Sequence, residues 1–590
     1  MNPPRVPASE LPGTAIGLRT DTRGMETDVK TRAVWLPLAA MLTGLLLLLA
    51  GACGGGGAQT GGGDTSATSK ATKGGTLRIV LADDTDYVDP ALAYYQTSWQ
   101  FEYSTCLKLL NYPDAAGSEG NQLQPEAAEA LPEVSADGKN YTFTVRQGLK
   151  FSPPSTEQVT PETFRFVVER ALNPKMQSPA ASFVSDIQGA SDFVAGRAKH
   201  VSGIKISGQT ISFELTDVAP DFLSRIAMPF FCAIPTDTPI DPRGIKSVPS
   251  AGPYFVDSWT PNRTLVIKRN PNYTGDRPAY VDEIRYQMGV DPDQAVLEIK
   301  QGNADYLGDG PPPAQNAELG ATVGPDSPVA NTDKQMFHVN PILSTSYLAM
   351  NTSRPHFDNE KVRQAVNFAI DRQTILDQSG KYAGTPSDQI LPPGVPGFND
   401  ADIYPLDGPD LEKARQLMQE SGEQTPFEAV LYTCDTSPCP ERAQVIQDNL
   451  KAIGITVVIR RFDRNIQFQK EGLRNEPFDL ADEGWFADYA DPYDFINILL
   501  DGSDIQDANN NNFAYFDDST WNAKMAEAAK LSGDQRYEAY GQLDVDLSTG
   551  PTPWASRANS NQLDLFSEQV DGLTFQPIYG MDYNLMYVPS

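Results

Sequence analysis

Apolar positions recur along the chain with two periods, and the switches between them mark its elements. Strict alternation over residues 75–81 predicts a strand. A turn at Asp137 and Gly138 leads into a second alternating run that ends at Arg146. Residues 203–206 with 210–215, and 252–259 with 263–269, predict two antiparallel pairs. Between the first strands, residues 160–172 predict a helix. Thr160 can satisfy its free amides, Pro161 suits the first turn, Glu162 complements the helix dipole, and Asn173 with Pro174 ends it. Proline, glycine and alanine crowd residues 309–330, which predicts a long surface loop. A short strand at 347–351 precedes the clearest helix, 357–372. There Asp358 is placed to cap, and Val362, Ala365, Val366, Ala369 and Ile370 share one face. Residues 411–418 predict another helix. A strand at 429–432, a helix at 441–453 stopped by Gly454 and a strand at 455–459 form a β-α-β unit, which implies parallel strands and a right-handed crossover.

That unit points to a candidate site. Ligands of open α/β sheets sit at the carboxyl ends of the strands. Here a strand-like run at 477–481 leads into Glu483, Gly484, Trp485, Phe486, Ala487 and Asp488, ahead of an apolar segment at 495–500. Gly484 lets another backbone approach closely, Trp485 offers a flat wall, and Asp488 sets a negative charge at its edge. The set suits an extended ligand with a cationic end. Trp485, Trp259 and Trp554, read as exposed, could equally stack on sugar faces, but a neutral sugar has no use for the Asp488 carboxylate. Arg460 and Arg461 read as surface charges at a strand end.

Composition narrows the function. At 590 residues the chain needs roughly two to four domains. A formal net charge of −31 excludes nucleic acid, whose phosphates would be repelled. His200, His338 and His356 are far apart, and neither a zinc-binding His-Glu-x-x-His nor a Gly-x-Ser-x-Gly elbow occurs, so no metal, cofactor or enzymatic activity is predicted. At the amino end, Lys30 and Arg32 precede uncharged residues 33–50, and small residues follow. This predicts a secretory signal over residues 1–52, with Met25 a more natural start than Met1, and a flexible tether over 53–74. A membrane-spanning helix is the alternative for that uncharged stretch. Cys106, Cys232, Cys434 and Cys439 would lie in an oxidising setting. Of their three possible pairings, the short 434–439 loop favours Cys434–Cys439 with Cys106–Cys232.

The order of these blocks resembles the family 5 extracellular solute-binding proteins, the oligopeptide- and dipeptide-binding components of ABC importers. The matching pieces are 131–146, 159–174, 250–273, 347–376, 391–397, 446–458 and 484–492. Small residues running directly into Cys53 and a glycine tract resemble a bacterial lipoprotein signal, with Leu49 four places before Cys53 where the commonest pattern has three. The resemblance implies an α/β, two-lobed periplasmic-binding-protein-like fold (Venus flytrap, type II) with an extra subdomain in the N-terminal lobe. It places lobe I at 75–340, lobe II at 341–555 and a return to lobe I at 556–590, with crossings near 335–347 and 553–563. It implies that Asp488 pairs with a ligand α-ammonium beside Trp485, and that Gly484 and Phe486 offer backbone groups to a peptide main chain. No carboxylate-binding arginine is matched, and Ser152, Pro153, Pro154, Ser155 and Thr156 depart from the family's Ser-Asp-Gly-Thr-Pro. The implied partners are a peptide or other small solute, ABC permease subunits, and the membrane through lipid on Cys53, with the monomer held on the extracytoplasmic face. An oligosaccharide, a nickel chelate or an opine are alternative ligands on the same fold, and a secreted enzyme is the remote alternative.

Overall fold

In the computed structural model, which describes residues 71–589, the first alternating run forms strand β1, Thr76–Val80, with Leu77 and Ile79 buried. Helix α1, Gln96–Thr105, follows. Helix α2, Pro161–Leu172, starts at a reciprocal capping box of Thr160 and Thr163 and stops at Asn173. Within it Arg170 donates two 2.7 Å hydrogen bonds to Asp89, both side chains being wholly buried. Ile204–Ser207 and Thr210–Glu214 join Asn140–Thr144 and Glu133–Val134 in a separate four-stranded sheet. This small sheet and α2 share one apolar cluster and make the extra subdomain of the first lobe.

The first lobe's own sheet continues with β2, Tyr254–Thr260, antiparallel to β3, Thr264–Arg269. β3 pairs with β4, Glu283–Gln287, which runs parallel to β1, and β1 runs parallel to β5, Tyr306–Leu307. Residues 309–330 are not a plain loop, since Asn316–Val323 is helical. Leu319 is buried there with Val80, Leu307 and Phe337, and that one apolar anchor outweighs the surrounding proline and glycine.

Strands β6, Phe337–Pro341, and β7, Ser344–Met350, come next, followed by α3, Glu360–Ala369. Asn359, not Asp358, caps α3 by accepting the Lys361 amide, so the cap lies one residue later than the sequence suggests and the helix is shorter than the expected 357–372. The β-α-β unit consists of β8, Phe427–Cys434, α4, Cys439–Lys451, and β9, Ile455–Phe462, with β8 and β9 parallel. Helix α5, Arg464–Glu471, leads to β10, Leu480–Phe486, then to α6, Tyr493–Leu500, and α7, Gly533–Thr549. The 477–481 run thus becomes a strand that starts later and extends through Gly484, Trp485 and Phe486.

The last long strand, β11, Trp554–Phe566, joins the halves. Its first part pairs antiparallel with β7 and its second with β6 and β5. The main sheet therefore reads β9-β8-β10-β7-β11-β5-β1-β4-β3-β2 across both lobes. Each lobe keeps its own core: Leu348, Val362, Val366, Leu431 and Ile446 in one, Leu77, Ile79, Ile267 and Ile284 in the other. A third cluster brings Trp99 and Phe230 of the first lobe together with Tyr489 and Phe495 of the second. Disulfides join Cys106 to Cys232 and Cys434 to Cys439.

Trp554 is not an exposed platform. It is 3% exposed and stacks 3.7 Å from the Tyr347 ring, because it sits on the inward face of the strand shared by both lobes. Trp259 is half-buried against the first lobe's core and donates to Asp84. Residues 1–52, Cys53 and most of the 53–74 segment lie outside the described residues. Among the described residues no helix is long and apolar enough to cross a membrane.

Candidate functional site

Strand β10 has one satisfied edge and one largely open edge. Along its whole length it pairs with β7, Ser344 opposite Phe486 through Met350 opposite Leu480. On its other side β8 pairs only with Leu480 and Ala481. Residues 482–486 therefore have no strand partner on that side among the described residues. The direction of their peptide groups follows from the antiparallel alternation. The Ala487 amide donates to the Leu343 carbonyl at 2.8 Å, and the Asn351 amide donates to the Asp479 carbonyl at 3.0 Å. Odd-numbered residues thus turn their main chain toward β7, and Gly484 and Phe486 turn theirs toward the open edge. A Cβ at Gly484 would lie 3.4 Å from the Thr345 carbonyl oxygen and 3.5 Å from Ser346 Oγ, which is ordinary contact. The fold alone does not require glycine there.

A cavity of about 410 Å³ adjoins this edge. Gln96 and Gln100 of α1, Asp309, Asn316 and Ile578 line it from one lobe, and Pro438, Phe486 and Ala487 from the other. Leu343 and Ser560–Leu563, from the strands that join the lobes, complete it. Among the described residues Asp309 is the only charged one in its lining, with no lysine, arginine or histidine there. Phe486 is 54% exposed at its wall.

Just beyond β10, Asp488 is buried at the contact between the lobes. The Tyr94 hydroxyl, from the first lobe, donates to Asp488 Oδ2 at 2.7 Å. Asp494, in the first turn of α6, accepts the Asp488 amide at 2.9 Å and Trp485 Nε1 at 3.2 Å. Burial pushes the Asp488 carboxyl up to about 7, while the Tyr94 hydrogen bond pulls it back. Burial, and then the Asp488 charge, raise Asp494 well above the usual carboxylate range. The two neighbouring carboxyls thus oppose each other's ionisation, and burial disfavours the charged form of both. Next to it, the Tyr489 hydroxyl donates to Asp221 of the first lobe at 3.0 Å, and Arg536 pairs with Asp491 at 2.7 Å.

Sequence reasoning picks out Gly484, Trp485, Phe486 and Asp488, which lie together at one strand end; of these Phe486 lines the cavity, while Gly484, Trp485 and Asp488 are not among its lining residues. It misses Asp494 and Tyr94. Asp494 carries a local signal, six residues after Asp488 in the first turn of a helix. Tyr94 carries none, since it reaches Asp488 from the other lobe. Arg460 and Arg461 are exposed at the end of the edge strand β9. The histidines stay apart: His200 meets Glu169, His356 meets Glu423, and the His338 ring meets the Gln335 carbonyl.

Comparison with known proteins puts this architecture in context. Residues 122–507, more than half of the chain, match the family described as bacterial extracellular solute-binding proteins, family 5 middle. The chain is 27% identical over 481 residues to heme-binding protein A of Haemophilus influenzae, covering 78% of this chain and 83% of that protein. It is 24% identical over 397 residues to the oligopeptide-binding protein OppA of Bacillus subtilis, covering 64% and 70%. Among solved structures, clavulanic acid biosynthesis oligopeptide binding protein 2 superposes with a TM-score of 0.80 at 24% identity, covering 88% of this chain and 96% of that one. With its two lobes, shared strands and interlobe cavity, the chain belongs to the family 5 bacterial extracellular solute-binding proteins.

Proposed function

We propose that the protein captures extended peptides with a free amino terminus between its lobes and hands them to the permease of an ABC importer. The open edge of β10, ending at the buried Asp488, carries this reading. A peptide laid along that edge receives main-chain hydrogen bonds from Gly484 and Phe486 whatever its sequence, as in strand addition. Its α-ammonium takes the place of the proton on Asp488. In a cleft shut off from water that ion pair gains strength, offset in part by the desolvation of both charges. Trp485 forms the adjoining wall. Because one ligand touches both lobes, binding shifts the population toward the closed form.

The names of two similar proteins refer to oligopeptides and one refers to heme. The cavity lining favours the peptide: a heme carries carboxylates, and among the described residues the lining offers no basic side chain to meet them. In this reading residues 1–52 are removed, Cys53 receives lipid, and residues 53–74 tether a monomer to the extracytoplasmic face of the cell membrane. Native mass spectrometry of the protein purified from its own host is the test. Mass increments of peptides, lost in Asp488→Ala, are expected; a heme increment, or peptides retained unchanged by Asp488→Ala, would overturn the proposal.

A further inference from the structure

Below Trp485, on the same face of the sheet, several polar side chains are buried without enough partners. Glu483 of β10 lies opposite Tyr347 of β7 in register, and Trp485 lies opposite Thr345. Gln467, on α5, bridges them: its amide donates to Glu483 Oε1 at 2.6 Å, to Glu471 Oε1 at 2.9 Å and to the Asp482 carbonyl at 3.4 Å. Gln467, Glu471, Glu483, Tyr347 and Thr345 are all at most 1% exposed. Yet among the described residues the Tyr347 and Thr345 hydroxyls have no hydrogen-bond partner, and Glu471 lies against the Glu483 carboxyl, a like-charged neighbour. Leaving such groups unsatisfied is costly, and native proteins do so rarely outside functional places. The Tyr347 hydroxyl faces the carboxylates: its ionisation is opposed first by burial, then by the charges of Glu483 and Glu471.

Two features connect this cluster to the ligand path. The Asp482 carbonyl, which Gln467 caps, points off the open edge of β10 by the same alternation that directs Gly484 and Phe486. A ligand residue continuing along that edge would reach Gln467 next. At the rim, Arg464 already places a guanidinium on the cluster, Nη2 lying 3.1 Å from Glu483 Oε2. Its side chain is 38% exposed and rests over the Phe468 ring. Asp482, whose charge also acts on Glu483, points to the opposite face, where Arg442 and Arg557 hold it.

We propose that Glu471, Glu483 and Tyr347 form a side-chain subsite that accepts a cationic side chain of lysine or arginine type from the bound peptide, with Arg464 holding that place at the rim. Arg464 swings out to solvent as the ligand cation enters, the cation relieves the mutual repulsion of Glu471 and Glu483, and the unpartnered Tyr347 hydroxyl gains a bond. The subsite rests on the reading of the protein as a peptide binder, and the experiment separates the two. Calorimetric titration compares tetra-alanine, its N-acetylated form, and four tetra-alanine variants carrying one lysine at each position, each beside its acetyl-lysine counterpart. At one position lysine is expected to bind at least about tenfold more tightly than acetyl-lysine. That advantage disappears in Glu471→Gln, while tetra-alanine binding stays unchanged. Arg464→Ala, at a partly exposed position, widens the advantage, with its thermal midpoint measured alongside. Equal binding of every lysine and acetyl-lysine pair, or a preference that survives Glu471→Gln and ignores Arg464→Ala, overturns the subsite. Equal binding of tetra-alanine and its N-acetylated form overturns the peptide reading itself, and the subsite with it.

Discussion

With Asp488 as the proposed partner of the ligand ammonium, its carboxyl, pushed up to about 7 by burial, is expected to make ligand affinity depend on pH in a calculable way. An α-ammonium pairs with the ionised carboxylate, so below that value a proton must leave before the ligand can settle. Burial and the Asp488 charge both oppose ionisation of Asp494, so exchange of one proton, at Asp488, is the expected stoichiometry. With one proton to expel, Kd rises about tenfold for each pH unit below about 7, and by ~10–30-fold between pH 7.5 and 5.5. Above about pH 8 the ligand's own amine loses its charge and affinity falls again. The stability of the ligand-free protein moves with the same group. Its folded value lies above its unfolded one, so the folded state binds more protons in between, and the Asp488 contribution declines as pH rises from the ordinary carboxylate range to about 7. Titration calorimetry of tetra-alanine from pH 5.5 to 8.5, in two buffers of different ionisation enthalpy, reads both the affinity and the released proton. A flat profile, or a profile that Asp488→Asn leaves in place, would refute the assignment.

Other consequences can be checked separately. Gly484→Ala fits the fold, since its Cβ makes only ordinary contacts, so the thermal midpoint should hold while the methyl group, standing off the sheet face beside the open edge, weakens peptide binding by about tenfold or more. Unchanged affinity would remove the ligand's main chain from that edge. Asp89→Asn leaves the wholly buried Arg170 without its counter-charge and should lower unfolding free energy in urea by ~3–5 kcal/mol, whereas a loss below ~1 kcal/mol would show the pair to be dispensable. Intact-mass analysis of protein from its own host should find a diacylated or triacylated Cys53 as the first residue; a mature chain starting elsewhere defeats the lipoprotein reading.

Much of the fold can be read from local pattern. The β-α-β unit shows because its helix period, its strand period and the stop at Gly454 all lie within one stretch, and Gly454 does take a positive φ of 88°. The helix Asn316–Val323 is hidden because its single deep anchor, Leu319, is surrounded by loop-forming residues, and only the tertiary core makes it worth ordering. Trp554 misleads for a related reason: a strand shared by two lobes has no solvent face where both cover it, so alternation says nothing about exposure. In the site, the run from Gly484 to Asp488 is visible as a strand meeting an aromatic wall and a carboxylate. That β10 is paired fully on one edge and only at Leu480 and Ala481 on the other depends on where β8 ends in space. Tyr94, 394 residues away in sequence, joins Asp488 only when the lobes meet.

In the proposed function Asp488 holds the positive end of a stretched ligand inside the closed lobes. Calorimetry at pH 7.5 with a tetra-alanine bearing a free amine and with its N-acetylated twin tests it directly. Loss of the ammonium should weaken binding by at least about tenfold, since a buried carboxylate is left without its partner. Indistinguishable affinities for the two would contradict it.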